Sequence, residues 1–226
     1  GLFKKWLESR GYHVVNSLRL PADAALVNSW VSSFSEVLLA RTRNPQLKVI
    51  HRIDGSAEEY GRGQKWDRKQ KKVNSLVDAS VFQSTYSKQA TRVRRNLIQV
   101  DGPVILNPVE IVNYSPRRDL GANWDSVRVA VVAFSMGRMK GGWRLPLVAK
   151  ANPEVKFVAV GRFRPDELSP PNIEYHGELR GAEKRSVLET CMFHLQLSEN
   201  DACPNVVLEA MALGLPVIYV PSGGVP

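Results

Sequence analysis

The segment from Asp201 to Gly224, DACPNVVLEAMALGLPVIYVPSGG, constrains the fold of this chain more than any other stretch. It reads as a loop, a helix, a buried strand and a glycine loop in immediate succession. Pro204 suits a first helical turn, where its missing N–H has no intrahelical partner to lose. Gly214 suits the helix exit, and Pro216 stops any continuation. LPVIYV is a short apolar run rich in β-branched residues, the pattern of a strand covered on both faces. Two acids, Asp201 and Glu209, stand eight positions apart around the helix start. Gly223 and Gly224 free the backbone to approach a ligand. Amide groups at a helix start, nearby acids and a glycine turn together suit a polar ligand carrying phosphate and hydroxyls.

The rest of the chain repeats the alternation of helical patterns and short apolar runs, which predicts α/β units with parallel strands. In the first half, helices are expected over 2–10, 34–43, 66–77 and 88–95, the last capped by Ser87. Strands are expected at 13–15, 22–29, 47–54 and 79–84, with 103–108 closing that half. Residues 113–126, NYSPRRDLGANWDS, collect turn formers and charge and read as a linker. In the second half, strands are expected at 127–134, 155–161, 172–179 and 192–198, and helices at 142–151 and 182–190. The economical reading is two Rossmann-like doubly wound domains, 1–112 and 127–226, with ligand-facing loops at the carboxyl ends of their strands. No closing helix follows SGGVP and no strand precedes Leu2, so truncation at both ends is expected.

The net charge of +9 is uneven: residues 1–108 hold 18 Lys and Arg against 9 Asp and Glu, whereas 109–226 hold 13 of each. Lys65, Arg68, Lys69, Lys71 and Lys72 form one basic cluster, and Lys88, Arg92, Arg94 and Arg95 a second. Such a face suits peripheral contact with an anionic membrane or a polyanion, nucleic acid included. No apolar stretch reaches the roughly 20 residues needed to span a bilayer. No secretory signal is apparent. Cys191 and Cys203 lack metal-like spacing, so a reduced, cytoplasmic setting without a structural metal is the expectation.

The run Ser198 to Gly224 resembles the donor-site signature of the retaining glycosyltransferases of family 4 (group 1), which have the GT-B fold. That signature is an acid, seven residues, Glu, then A-x-A-x-G-x-P-V and a Gly-Gly turn. Asp201, Glu209, Ala210, Ala212, Gly214, Pro216, Val217, Gly223 and Gly224 fall in register. Lys140-Gly141, Gly161-Arg162, Tyr175-His176-Gly177 and Asn107-Pro108-Val109-Glu110 extend the likeness, which covers 100–226 well and 1–100 loosely.

The resemblance implies a role for each matching position. Glu209 would accept hydrogen bonds from the ribose hydroxyls of a nucleotide-diphosphate sugar, and Asp201 would bond the hydroxyls of the transferred sugar. Lys140 would lie against the diphosphate and neutralise the charge growing on the leaving group. Backbone N–H groups around Cys203, Asn205 and Val206 would add the positive end of the helix. Gly223 and Gly224 would let the backbone approach the nucleotide. Ser135 stands where many members carry Arg, and Arg138 nearby is the candidate second cation. Asp in place of Glu at 201 shortens the reach by one methylene. In the first half, His51 and Asp54 compete for a catalytic position at a strand end. His176, Trp66, Trp124 and Trp143 read as structural.

The implied activity is transfer of a sugar from a nucleotide-diphosphate sugar to a hydroxyl acceptor with retention and without a metal or other cofactor. The acceptor, a glycan, a lipid-linked group or another hydroxyl compound, is assigned to the basic first half. One alternative is a non-catalytic protein of the same fold that binds an anionic polymer or nucleic acid. A lesser one is a GT-B epimerase or phosphorylase.

Overall fold

The computed structural model describes residues 2–109, 126–133, 138–163 and 168–225. The chain forms two compact units, Gly1–Pro108 and Val109–Pro226. The proposed linker 113–126 lies, but for Ser126, outside the described residues.

In the first unit, β1 (Ala24–Asn28), β2 (Lys48–Ile53) and β3 (Ala79–Phe82) make a parallel sheet in that order. After α1 (Leu2–Ser9), helices α2 (Phe34–Arg43) and α3 (Gln64–Asn74) bury Val37, Ala40 and Val73 against Val27 and Val49 of the sheet. The two-residue period of a strand decides what β2 presents to each side. Val49, His51 and Ile53 are fully buried, while Lys48, Ile50 and Arg52 alternate with them. The His51 ring is therefore enclosed. Its Nε2 donates to the Ser29 carbonyl at 3.1 Å, and its Nδ1 accepts from Asn74 Nδ2 at 3.3 Å. Asn74 also accepts the Gln99 and Val100 amides, at 2.7 and 3.0 Å, and so joins α3 to the following segment.

Three expectations for this unit are corrected. Residues 13–15 form no strand: the run is short, and no ladder partner shares its backbone hydrogen bonds. Helix α3 ends at Asn74 rather than at 77, because Leu76 and Val77 turn into the core beside β3. The third concerns the next helix. Ser84, not Ser87, caps it, accepting from the Ser87 amide at 3.0 Å. The Ser87 hydroxyl instead donates to the Ile53 carbonyl. That helix begins at Thr85 as α4 (Thr85–Lys88) and widens into a π-helical turn over Gln89–Arg94. Segment 103–108 contributes a single parallel bridge, Val104 to Phe82.

In the second unit, β4 (Arg128–Ala133), β5 (Lys156–Gly161), β6 (Ile173–Gly177), β7 (Phe193–Gln196) and β8 (Val217–Tyr219) form an all-parallel sheet ordered β6-β5-β4-β7-β8. Both faces of its central strands are covered, as parallel sheets require. Val129, Val131, Phe157 and Ala159 meet Leu145 and Ala149 of α5 (Leu145–Ala151) on one side. Ala130, Val158 and Val160 meet Leu188 of α6 (Gly181–Leu188) and Ala210 of α7 (Asn205–Ala212) on the other. Helix α7 ends in a Schellman motif. Gly214, at φ 76°, donates to the Met211 carbonyl, and the Leu215 amide reaches back to Ala210 at 3.0 Å.

Pro204 is the residue just before α7 rather than inside its first turn. Strand β8 is not covered on both faces. It lies at the sheet edge, with Ile218 51% and Tyr219 41% exposed. Among the described residues no helix is long and apolar enough to cross a membrane.

Two buried histidines make the stability of each unit depend on pH. Desolvation lowers His51 and His194 from 6.5 to about 4, opposed by hydrogen bonds to the Ser29 carbonyl for the first and to Gln196 and the Ala130 backbone for the second. Below about pH 6.5 the unfolded imidazoles take up protons that the folded ones refuse until about pH 4. The stabilisation is complete above pH 6.5 and falls between 6.5 and 4, by roughly 3 kcal/mol for each histidine. Urea unfolding at pH 7.5 and 5 will show about 2 kcal/mol of this loss per histidine, and a His51→Gln or His194→Gln variant will flatten it in its own unit.

Candidate functional site

The site lies where the winding of the second sheet reverses. The chain runs outward from β4 through β5 to β6, then returns to β7 on the opposite side of β4. In such a sheet the loops leaving β4 and β7 diverge to opposite faces and open a crevice at the carboxyl ends of the strands. Lys140 follows β4 and Asp201 follows β7. Their side chains meet across the reversal, Lys140 Nζ to Asp201 Oδ2 at 2.5 Å.

The loops are held together by backbone contacts that exclude a side chain. Gly141, at φ 67°, lies so close to Leu197 that a Cβ would stand 1.9 Å from its carbonyl oxygen. Beside it the Glu199 amide donates to the Met139 carbonyl at 3.0 Å. Gly223, at φ 83°, closes on the same loop from β8, where a Cβ would meet the Asp201 carbonyl oxygen at 2.4 Å. The Gly224 amide donates to that oxygen at 2.7 Å. Asn200, at φ 55°, is tied to the Ser222 hydroxyl by its amide. The glycine pair thus fits the backbone of the acid loop.

Charge around this core is paired across elements. Arg144 donates to Glu199 at 2.6 Å and to the Leu197 carbonyl at 3.1 Å. Glu209, on α7, receives Lys184 of α6 at 2.6 Å. Under the loop, His194, Gln196 and Ser198 are buried on one side of β7 and bonded in series: His194 Nε2 to Gln196 Oε1 at 3.2 Å, and Gln196 Nε2 to the Ser198 hydroxyl.

The structure brings Lys140, Asp201, Gly223 and Gly224 into direct contact. Cys203 lies in the acid loop, and Asn205 and Val206 open α7, which carries Glu209 in its second turn. Ser135 and Trp124 lie outside the described residues, and only the backbone of Arg138 is described, at the head of a 3-10 turn. Trp143, expected to pack, is half exposed with Arg144 stacked over it. Lys184, Arg144 and Glu199 escaped the sequence reading. For Lys184 a signal existed: it shares a helix side with Val187 and Leu188, an unusual place for a lysine.

In the first unit strand parity separates the surroundings of His51 and Asp54. His51 has both ring nitrogens engaged inside the core, as in a structural histidine. Asp54 lies at the strand end in a polar cluster centred on Arg52. Arg52 bonds the Asp54 carboxylate, Asn28 at 3.0 Å, Gln83 at 2.8 Å and Asn107 at 2.5 Å. Burial raises the Asp54 carboxyl above its ordinary value, against the charge and hydrogen bond of Arg52.

The two basic clusters differ. Lys88 pairs with Asp101, Arg94 with Glu59, and Arg95 with Glu58 and Glu59. Lys65, Arg68, Lys71 and Lys72 are exposed on α3 and make no ion pair among the described residues.

Residues 143–226 match the sequence model of the family described as glycosyl transferases group 1. No curated protein sequence matches the chain. Solved structures do. Sucrose-phosphate synthase from Thermosynechococcus elongatus superposes with a TM-score of 0.67 at 17% identity, covering 98% of this chain and 59% of that one. HepE from Anabaena, in complex with UDP and glucose, gives 0.69 at 19% identity, covering 99% and 71%. WaaG, a glycosyltransferase involved in lipopolysaccharide biosynthesis, gives 0.56 at 13%, covering 84% and 64%. The fold is accordingly that of the GT-B glycosyltransferases, and the chain spans about 60% of the length of the first of these structures.

Steric closure at the site is directly testable. Gly177 also has a positive φ, 67°, but open space where a Cβ would go. Gly177→Ala is expected to cost about 1–2 kcal/mol, the backbone penalty alone. Gly141→Ala adds the collision with Leu197 and is expected to cost about 2–3 kcal/mol more. The two urea midpoints give the comparison.

Proposed function

We propose that this protein transfers a glycosyl group from a nucleotide-diphosphate sugar to a hydroxyl acceptor, with retention of anomeric configuration. The observation that carries the reading is the Lys140–Asp201 pair at the winding reversal of a sheet whose residues 143–226 match group 1 glycosyl transferases. The HepE structure, solved with UDP and glucose, supports a nucleotide sugar as donor. Transfer breaks the bond from the anomeric carbon to the diphosphate oxygen as the acceptor oxygen bonds to that carbon, and the acceptor's hydroxyl proton passes to the departing diphosphate. Negative charge grows on the departing phosphate, where a fixed cation lowers the barrier most.

Lys140 is that cation: its half-exposed ammonium turns from Asp201 toward the diphosphate. Asp201 then bonds the sugar hydroxyls, and Glu209 the ribose hydroxyls. The opening of α7 adds amide dipoles near the phosphates. The acceptor belongs to the first unit. There the Arg52 cluster, with Asn28, Asp54, Gln83 and Asn107 at the strand ends, mixes donors and acceptors as a polyhydroxyl compound requires. The unpaired basic side of α3 suits an anionic acceptor or an anionic surface around it.

Incubation with a panel of nucleotide sugars, with nucleotide diphosphate release as readout, tests the reading. Release with the cognate donor is expected, with the product anomer matching the donor by NMR. Lys140→Ala should lower kcat by about 100-fold or more. Glu209→Ala should weaken nucleoside diphosphate binding by about tenfold or more, the loss of a charge-assisted hydrogen bond. Turnover is expected to persist in EDTA. No release from any donor, together with unchanged nucleotide binding in Glu209→Ala, would sink the proposal.

A further inference from the structure

We infer that Lys184 is a positioning residue for donor binding, holding the Glu209 carboxylate in the orientation that receives a ribose diol. The inference deepens the proposed function and rests on it. Helices α6 and α7 both contribute to the core on one face of the sheet, which includes Leu188, Ala210 and Leu213 with Val187 against it. Lys184 precedes Leu188 by four residues and Glu209 precedes Leu213 by four. Each charged residue thus stands one turn before a buried leucine, on the side facing the other helix.

The side chains are mostly buried, 17% exposed for Lys184 and 21% for Glu209, and Nζ stands 2.6 Å from Oε2. The neighbouring cation on α6, Arg185, is engaged by Glu189 of the same helix at 2.7 Å. Lys184 is therefore the cation committed to Glu209.

Among the described residues no other hydrogen bond reaches this carboxylate, which leaves Oε1 for a ligand. A carboxylate offers about four lone-pair sites on two oxygens. The ammonium occupies Oε2 and fixes the side-chain rotamer, so Oε1 is presented in a set direction. Without the lysine, Glu209 would carry a poorly solvated charge with no partner to orient it. Ordering it would then fall to the ligand, at the expense of affinity. Most exposed ion pairs contribute little to stability. The value of this one lies in direction.

The experiment measures binding of UDP, GDP and ADP, and of their 2′-deoxy counterparts, to the wild type, Lys184→Met and Lys184→Arg. The wild type should favour the ribose form of its cognate nucleotide by about tenfold, the worth of a hydrogen bond to a charged group. Lys184→Met should reduce that preference below about threefold while leaving deoxynucleotide affinity within about twofold of wild type. The retained deoxynucleotide affinity certifies the fold, and Lys184→Arg should restore most of the preference. If Lys184→Met keeps the wild-type ribose preference, or loses affinity for ribo and deoxy forms alike, the assignment of Lys184 is overturned alone. If the wild type binds none of the three, or binds without ribose preference, the assignment falls together with the nucleotide reading of Glu209.

Discussion

The close approach of Gly141 to Leu197 is the contact on which the candidate site depends. Parallel strands bring their carboxyl ends to one edge, but their loops then leave in whatever direction the chain dictates. Here the loop after β4 is pressed onto the loop after β7 with no room for a Cβ, and the glycine turn after β8 closes on the latter from the other side. Three separate loops become one rigid wall. Lys140 and Asp201 are consequences of that wall. Their meeting requires that residue 141 have no side chain and that Gly223 accept a positive φ against the Asp201 backbone.

Beneath the wall, polar groups are placed where a hydrophobic core would serve packing better. His194, Gln196 and Ser198 replace apolar residues on the side of β7 opposite Phe193 and Leu195, and they are hydrogen-bonded in series toward the acid loop. A buried polar series is tolerated only when its members find partners, and it then fixes one arrangement. The first unit uses the same device, with His51, Asn74, Ser80 and Ser29 tying α3 to the end of β1, to β2 and to the start of β3. In the first unit the histidine is central to the network, whereas His194 stands at one end of its series.

Much of this was legible in the sequence because it is written in local periodicity. The β-branched runs at 48–53, 128–133 and 156–161 could only be buried strands, and Gly214 with Pro216 marked the end of α7. Lys140, Asp201 and Glu209 were found through the order of a motif, which survives without knowledge of contacts. Ion partners are a different matter. Lys184 and Glu209 are 25 residues apart, and Arg144 and Glu199 are 55 apart, so no spacing rule joins them. The missing strand at 13–15 failed for the complementary reason, since a strand needs a neighbour that local sequence does not supply. The cover expected over β8 failed because edge and centre positions are set by topology, which the apolar run itself does not reveal. His51 could have been resolved: placing Val49 and Ile53 inside by the two-residue period places His51 inside with them.

Both acids proposed to receive the donor are already paired with lysines, and the two pairs differ in how freely they can part. Lys140 is 35% exposed at its side chain, whereas Asp201 is 8% exposed. Water can solvate the lysine as it turns away, while the acid stays desolvated and gains from new donors. A sugar bearing hydroxyls supplies them, and the diphosphate beside it supplies the lysine with a stronger anion. Exchange of partners on both sides keeps every buried charge compensated throughout binding, which a ligand carrying only one of the two groups cannot do. Lys184 and Glu209 are both shielded and have no such exchange available, so that pair stays closed and acts as a fixed support. In the proposed function one site would combine a pair that opens for the donor with a pair that holds still, a difference that would follow from how deeply each lysine is buried.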